Sequence, residues 1–337
     1  MISNKNNELK IIKHNGQVLE TKFYKYISDE MCEEIRKEYY TKPDIKKVEN
    51  NIKKIYNGGK LLTNITNYYF KDLMAKTKLY HSKWSIEEVF ECNDLIRHFY
   101  AKTLENDKVY PPKNTLIKNI ETALRLGGKG VASKPSNFPI NYVDVVLKKY
   151  NVNDNYYDFS CGWGVRMLGA LRNNINYFGT DPNYLLTNRL KELYENFKKI
   201  NNIKVNADIR TQGSQYFIEE WEGKIGVAFS SPPYFGLEDY KIGDQSYKNG
   251  ITYNEWKIEY LDKTIKNIYR YLIPNGYLII NINNYKNFDL VGDTKEICLK
   301  NKFKFIETLH LENIKRSNSK GGLNDNSEGM FVFQKIN

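Results

Sequence analysis

The apolar run Ile225, Val227, Ala228, Phe229 stops abruptly at Ser230-Ser231-Pro232-Pro233-Tyr234-Phe235. A run of strand length that ends in two prolines predicts a buried strand handing a rigid loop to the carboxyl edge of a sheet, the edge where open α/β folds bind ligands. The residue types there suit one task. A serine hydroxyl accepts hydrogen bonds, prolines fix the backbone and leave their carbonyls free, and a tyrosine ring offers a flat stacking surface. Together they can grip a planar ring that carries an exocyclic amine.

A second group lies upstream. Tyr156-Tyr157-Asp158-Phe159-Ser160 predicts a short strand running into Cys161-Gly162-Trp163-Gly164 and a helix over Val165 to Leu171. Glycines at such a turn let backbone N–H groups approach a ligand closely. The dinucleotide pattern GxGxxG is broken because position 167 is Met. The next apolar strand, Tyr177 to Thr180, ends in Asp181-Pro182-Asn183. An acidic residue there either caps the following helix or accepts the hydroxyls of a ribose, and its register after a glycine loop favours the ribose. A third strand falls within Ile203 to Gln212, and Gly213-Ser214-Gln215 is a turn expected to open the next helix.

These residues resemble a known family. Ser231, Pro232, Pro233 and Tyr234 are similar to the (Asp/Asn/Ser)-Pro-Pro-aromatic signature of amino-group DNA methyltransferases, in which the serine form accompanies mostly cytosine-N4 methylation. Asp158 to Gly164 with Asp181 and Pro182 resemble motifs I and II of class I methyltransferases. The resemblance implies a Rossmann-like α/β domain with a seven-stranded, mostly parallel sheet. It implies S-adenosyl-L-methionine as cofactor, held by Asp158, Phe159, Ser160, Gly162, Gly164, Asp181, Pro182 and Ser214; Asp208 and Ser214 compete for its adenine, and Ser214 is favoured because family members often carry Gly-Asp or Gly-Ser at that turn. Phe138, in Lys134-Pro135-Ser136-Asn137-Phe138-Pro139, matches by position the aromatic that packs on the cofactor's methionine end. Ser231, Pro232, Pro233 and Tyr234 become the catalytic group, and DNA the partner.

The chemistry agrees. Cytosine N4 and adenine N6 are weak nucleophiles, so an enzyme must hold the amine with its lone pair in line with the methyl. Ser231 Oγ and the Pro232 carbonyl are the expected acceptors for the amine hydrogens, with Tyr234 stacked on the ring. A base inside a duplex cannot reach such a loop, which implies flipping or single-stranded substrate. Methylation at carbon 5 needs a thiol nucleophile, and none of Cys32, Cys92, Cys161 and Cys298 follows a proline as that family's nucleophile does. Adenine-N6, RNA and protein methylation, and a catalytically inactive nucleic-acid-binding protein, stay open as alternatives.

The elements that must position these groups fall into two regions. Residues 1–130 predict a mainly helical, basic accessory region, with a helix capped by Ser28 running to Tyr40, one capped by Ser85 and Glu88 running to Leu104, and one over Thr115 to Leu126. The stretch Thr41 to Tyr80 is left unassigned. Tyr68, Tyr69, Phe70 and Lys71 are read equally as a base-stacking stripe or as a small helical core. Residues 131–337 hold the catalytic domain: a helix over Asn141 to Tyr150, a lid-like loop over Phe235 to Tyr253, a helix over Asn254 to Leu272, strands over Tyr277 to Ile282, Phe303 to Leu311 and Met330 to Gln334, and a basic loop over Glu312 to Gly329.

Length and composition fit this division. The 337 residues are 41% hydrophobic, enough for an α/β core with an appended region. A net charge of +11 favours a polyanionic partner. The scattered cysteines form no CxxC pair, which argues against zinc and disulfides and for a reducing cytoplasm, and no segment is long enough to span a membrane.

Overall fold

A computed structural model describes residues 9–61, 63–105, 131–132, 135–241, 245–246, 250–284, 287–309 and 329–336. The helix expected over 115–126, residues 242–244 and 247–249 of the lid-like loop, and the basic loop from 312 to 328 lie outside these residues. The chain divides into two compact units that interleave in sequence: Met1–Pro43, Phe70–Ser136 and Glu238–Ile242 form one, and Asp44–Tyr69, Asn137–Leu237 and Gly243–Asn337 the other.

The first unit opens with an antiparallel hairpin, β1 (Lys10–His14) and β2 (Gln17–Thr21). Asn15 and Gly16 both take positive φ, as a two-residue turn between twisted strands requires. Helix α1 (Asp29–Tyr40) starts where Ser28 Oγ accepts the Met31 N–H, as expected. The Ser85–Glu88 capping box is present, but it starts only a short helix, α4 (Ile86–Glu91), after α2 (Ile45–Tyr56) and α3 (Thr63–Lys76). The expected single helix to Leu104 breaks at Cys92 and resumes as α5 (Asn93–Glu105). Tertiary bonds explain the break: Asn93 donates to Asp29 and accepts from Arg36, both on α1, which drags the backbone out of helical register. Trp84 is buried at the centre and donates its indole N–H to the His14 carbonyl at 2.9 Å. Part of the loop expected as a lid pairs as a strand, β8 (Glu238–Asp239), with β3 (Lys78–Leu79).

The second unit is built on one sheet of seven strands. These are β4 (Asn155–Asp158), β5 (Asn176–Asp181), β6 (Ala207–Thr211), β7 (Ile225–Ser230), β9 (Leu272–Ile282), β10 (Phe303–Leu309) and β11 (Gly329–Lys335). Their order is β10-β11-β9-β7-β4-β5-β6. All run parallel except β11, which is antiparallel to both its neighbours. This is the Rossmann-like α/β fold expected from the sequence. The strand order reverses between β4 and β7, so the ends of those two strands flank the crevice where such folds bind ligands.

Helices α6 (Ile140–Tyr150), α7 (Val165–Arg172), α8 (Tyr184–Asn201) and α10 (Leu290–Lys300) cover the sheet. Helix α9 runs through Tyr253–Trp256, Lys257–Asp262 and Lys263–Tyr271, its middle stretch π-helical. β9 begins at Leu272 rather than at Tyr277. The pairing with β7 jumps from Ile225↔Leu272 to Val227↔Tyr277, so Pro274-Asn275-Gly276 bulges outward, and a proline at a bulge breaks no ladder bond. Helix α2, from the stretch whose sequence shows only weak periodicity, packs on α8 in this unit, with Tyr56 edge-on to Phe197 at 6.0 Å. Of the aromatic stripe at 68–71, Tyr69 and Phe70 are buried and Tyr69 accepts a bond from Asn196, so neither is available to stack on a base.

Candidate active site

β4, fully buried along Tyr156 to Asp158, delivers Asp158 to the switch point. Its carboxylate is fully used by the protein. Oδ1 accepts from Ser230 Oγ at 2.7 Å and from the Ser160 N–H at 3.3 Å. Oδ2 accepts from Arg166 Nε at 3.0 Å and from the Tyr177 hydroxyl at 3.1 Å. Asp158 therefore ties together the end of β7, the glycine loop, α7 and β5, and meets a ligand only through the backbone it fixes. Arg166, to which the sequence drew no attention, completes the knot by donating to the Ser160 carbonyl. Burial works most strongly against its charge, but the Asp158 carboxylate, through its charge and its hydrogen bond, together with the hydroxyls of Tyr156 and Tyr177, more than offsets it and keeps the guanidinium protonated.

Gly162 and Gly164 both lie at positive φ, 54° and 74°, so the loop turns in a conformation that side chains with a Cβ rarely adopt. Cys161 is buried under it, its thiol donating to the Thr180 carbonyl at 3.3 Å; burial pushes the thiol well above its ordinary range, which leaves it unreactive. Gly179 makes room for this packing: a Cβ there would stand 2.8 Å from Cys161 Sγ. Phe159 is buried and packs toward Tyr157, on the core side of the loop. Phe138 lies 5.6 Å from the ring of Phe229 on β7, with the Arg166 guanidinium 5.5 Å from its centroid, so the structure does bring it to the glycine loop.

At the end of β5 the two readings of Asp181 separate. The helix cap is Asn183, whose Oδ1 accepts the N–H groups of Leu185 and Leu186 at 3.1 and 3.2 Å. Asp181 accepts the Asn183 N–H at 3.0 Å through Oδ1 and is partly open to solvent, with Pro182 beside it. Burial pushes its carboxyl up to about 7, even though the N–H groups of Asn183 and Gly162 favour the charged form. A half-buried carboxylate with spare acceptor capacity suits a pair of hydroxyl donors.

Neither candidate for an adenine contact stands free. Asp208 is held by Arg210 and by the Trp221 indole N–H at 2.9 Å. Ser214 is buried, its hydroxyl bonded to Thr264 Oγ1 at 2.9 Å and its carbonyl to Asn267 Nδ2 at 3.0 Å, both on α9. The expected helix after Ser214 is absent: Tyr216 N–H closes a turn onto the Gly213 carbonyl, and only the 3-10 turn Glu219–Trp221 follows.

β7 is buried throughout and ends at Ser230, so the next residues emerge at the sheet edge as expected. Ser230 serves Asp158, and Ser231 is the first side chain beyond it. Ser231 Oγ accepts a hydrogen bond from Asn281 Nδ2 at 2.9 Å. The Tyr234 hydroxyl accepts the backbone N–H of Asn283 at 2.7 Å, which pins the ring by its far end. Pro232 is buried and Pro233 half-buried between these two anchors. Behind them Phe235 meets Tyr253, Trp256 and Phe288 edge-on or tilted at 5.3 to 6.0 Å, an aromatic wall that backs the loop. Asn281 and Asn283 went unremarked in the sequence, since each acts across the sheet rather than along the chain.

Residues 225–337 match the DNA methylase family model. The matched stretch runs from β7 through Ser231-Pro232-Pro233-Tyr234 to the last strand. No curated protein matches the chain. Among solved structures, a TehB-like SAM-dependent methyltransferase from Corynebacterium glutamicum is 13% identical, covers 57% of this chain and 86% of its own, and has a TM-score of 0.40. An S-adenosylmethionine-dependent methyltransferase from Clostridium acetobutylicum is 12% identical over 58% of this chain and 89% of its own, with a TM-score of 0.39. A 1,6-didemethyltoxoflavin-N1-methyltransferase from Burkholderia thailandensis, solved with S-adenosylhomocysteine, is 9% identical over 59% and 78%, with a TM-score of 0.38. Among the described residues no cluster of His, Cys, Asp and Glu could hold a metal, and no helix is long and apolar enough to cross a membrane.

Proposed function

We propose that the protein transfers a methyl group from S-adenosyl-L-methionine to an exocyclic amine of a base in DNA, cytosine N4 ahead of adenine N6. The observation that carries this is the Ser231-Pro232-Pro233-Tyr234 loop at the strand-order reversal, its two polar side chains anchored by Asn281 and the Asn283 N–H. The match of residues 225–337 to the DNA methylase family supports it. Cytosine is favoured by the serine ahead of the prolines.

On this reading the cofactor supplies an electrophilic methyl. The glycine loop of Ser160, Gly162 and Gly164, fixed from below by Asp158 and Phe159, offers its backbone; Asp181 and Pro182 form the ribose end, and Phe138 the methionine end. Ser214 acts through its backbone, since its hydroxyl is turned into α9. The protein's own part in the reaction is to hold the amine. Ser231 Oγ and the Pro232 carbonyl accept its hydrogens, so the nitrogen lone pair points at the methyl, while Tyr234 stacks on the ring and Pro233 keeps the backbone rigid. The base arrives flipped or single-stranded. Residues 1–130 and the excess of 51 Lys and Arg over 40 Asp and Glu provide for recognition of the nucleic acid.

Ser231→Ala and Tyr234→Ala are expected to abolish transfer while leaving cofactor binding within about twofold, because neither side chain belongs to the glycine loop or to Asp181. Full activity in either variant overturns the assigned roles.

A further inference from the structure

The loop that carries Ser231 is held from a strand fifty positions further on. β7 and β9 run parallel with Ser230 opposite Ile280, so the register sets Asn281 beside Ser231. Asn281 is 5% exposed and is flanked by Ile279, Ile280 and Ile282, all buried. A polar amide inside such an apolar strand is costly unless it is hydrogen-bonded, and its partner here is the Ser231 hydroxyl. Two residues on, the Asn283 N–H holds Tyr234. One strand end therefore fixes both polar atoms of the loop.

A hydroxyl has one hydrogen to donate and two acceptor positions. The Asn281 amide fills one of the two. We propose that Asn281 is the positioning residue for transfer: by donating to Ser231 Oγ it stops the hydroxyl from rotating and leaves one lone pair and the hydrogen for the base. The free lone pair accepts a hydrogen bond from the amine N–H, and the hydroxyl donates a hydrogen bond to the unprotonated ring nitrogen beside the amine. The substrate edge this selects is an amine next to an unprotonated ring nitrogen, the edge that cytosine and adenine share. The inference rests on the role given to Ser231 above.

Three variants test it. Asn281→Ala frees the hydroxyl to rotate and is expected to lower kcat by about ten- to a hundredfold, the scale of a misplaced reacting group, with unchanged affinity for S-adenosylmethionine. Asn281→Asp keeps the shape, but a carboxylate only accepts, so it draws the Ser231 hydrogen away from the base. Its activity falls at neutral pH and recovers as the pH drops and the introduced carboxyl, once protonated, donates as the amide did. In unfolding free energy, the losses of Asn281→Ala and Ser231→Ala combine to less than their sum in the double variant, since each removes the same hydrogen bond. Wild-type kcat in Asn281→Ala, a wild-type pH profile in Asn281→Asp, or additive losses in the double variant each overturn the proposal.

A measurement independent of turnover accompanies these. The Asn281 side-chain amide resonance, followed by nuclear magnetic resonance, must shift in Ser231→Ala, and an unmoved resonance overturns the proposal even if no Asn281 variant folds. If the wild type transfers no methyl to DNA, the reading of Ser231 falls and the role of Asn281 falls with it. An active wild type with a fully active Asn281→Ala removes only the inference about Asn281.

Discussion

Acidifying the solution should weaken cofactor binding through one carboxyl. Burial pushes Asp181 up to about 7, so near neutrality the unliganded protein is a mixture of its two protonation states. Only the ionised form offers two equivalent acceptor oxygens to a pair of ribose hydroxyls. If the ionised form alone binds well, the apparent Kd scales inversely with the fraction ionised, so binding should be roughly tenfold weaker at pH 6 than at pH 8. Tryptophan fluorescence can follow the titration, because Trp163 lies half-buried in the glycine loop while Trp84, Trp221 and Trp256 are fully buried. Asp181→Asn serves as the control: it binds more weakly at pH 8 and carries only the titration of the ligand itself. The stability of the unliganded protein should move the opposite way. Folding raises this carboxyl above the ordinary aspartate value of 3.8, so the folded state holds the proton more tightly than the unfolded one. Stability from this group is therefore full at low pH and declines as the pH rises from about 4 to about 7. Identical pH dependence of Kd in the wild type and Asp181→Asn would refute the ribose assignment.

Three further outcomes follow from packing. Arg166→Met leaves the Asp158 carboxylate buried without its cation and should cost about 3–5 kcal/mol in chemical denaturation, with Asp158→Asn in the same chain restoring part of the loss. Gly179→Ala forces a methyl to within 2.8 Å of Cys161 Sγ, so it should lower stability by about 1–3 kcal/mol and weaken cofactor binding as the glycine loop shifts, both read from Tm and fluorescence. Tyr234→Phe removes the acceptor of the Asn283 N–H but keeps the ring; it should cost about 1 kcal/mol of stability and retain most of the transfer rate that Tyr234→Ala loses.

Much of the seven-stranded unit was legible in the sequence because its signals are local. The apolar run 225–229 must be a strand, two prolines must end it, and Gly162 and Gly164 must turn where φ is positive. Ser28 and Ser85 announced their helices through caps that act over three residues. What the sequence hid depends on distant partners. Asp158 reads as a cofactor ligand until Arg166, Tyr177 and Ser230 are seen to occupy it. Asp181 and Asn183 are both plausible caps in sequence, and only geometry shows that Asn183 does the capping. Cys92 lies within a good helical pattern, and the bonds of Asn93 to α1 override it. The hairpin at 10–21 carried a local signal, Asn15-Gly16, but the surrounding Lys and Glu made the segment look like part of a helical region. Ser214 was chosen on a family pattern, which carries no sign that its hydroxyl is bonded to Thr264 on α9.

Methyl transfer to a base amine in DNA is tested most directly by nucleoside mass spectrometry. The protein is incubated with S-adenosylmethionine carrying a deuterated methyl group and with duplex DNA, single-stranded DNA or RNA, and each product is digested. Labelled N4-methylcytosine from DNA, absent with Ser231→Ala, is the predicted result; labelled N6-methyladenine would change only the base. No labelled nucleoside from either form of DNA would contradict the account.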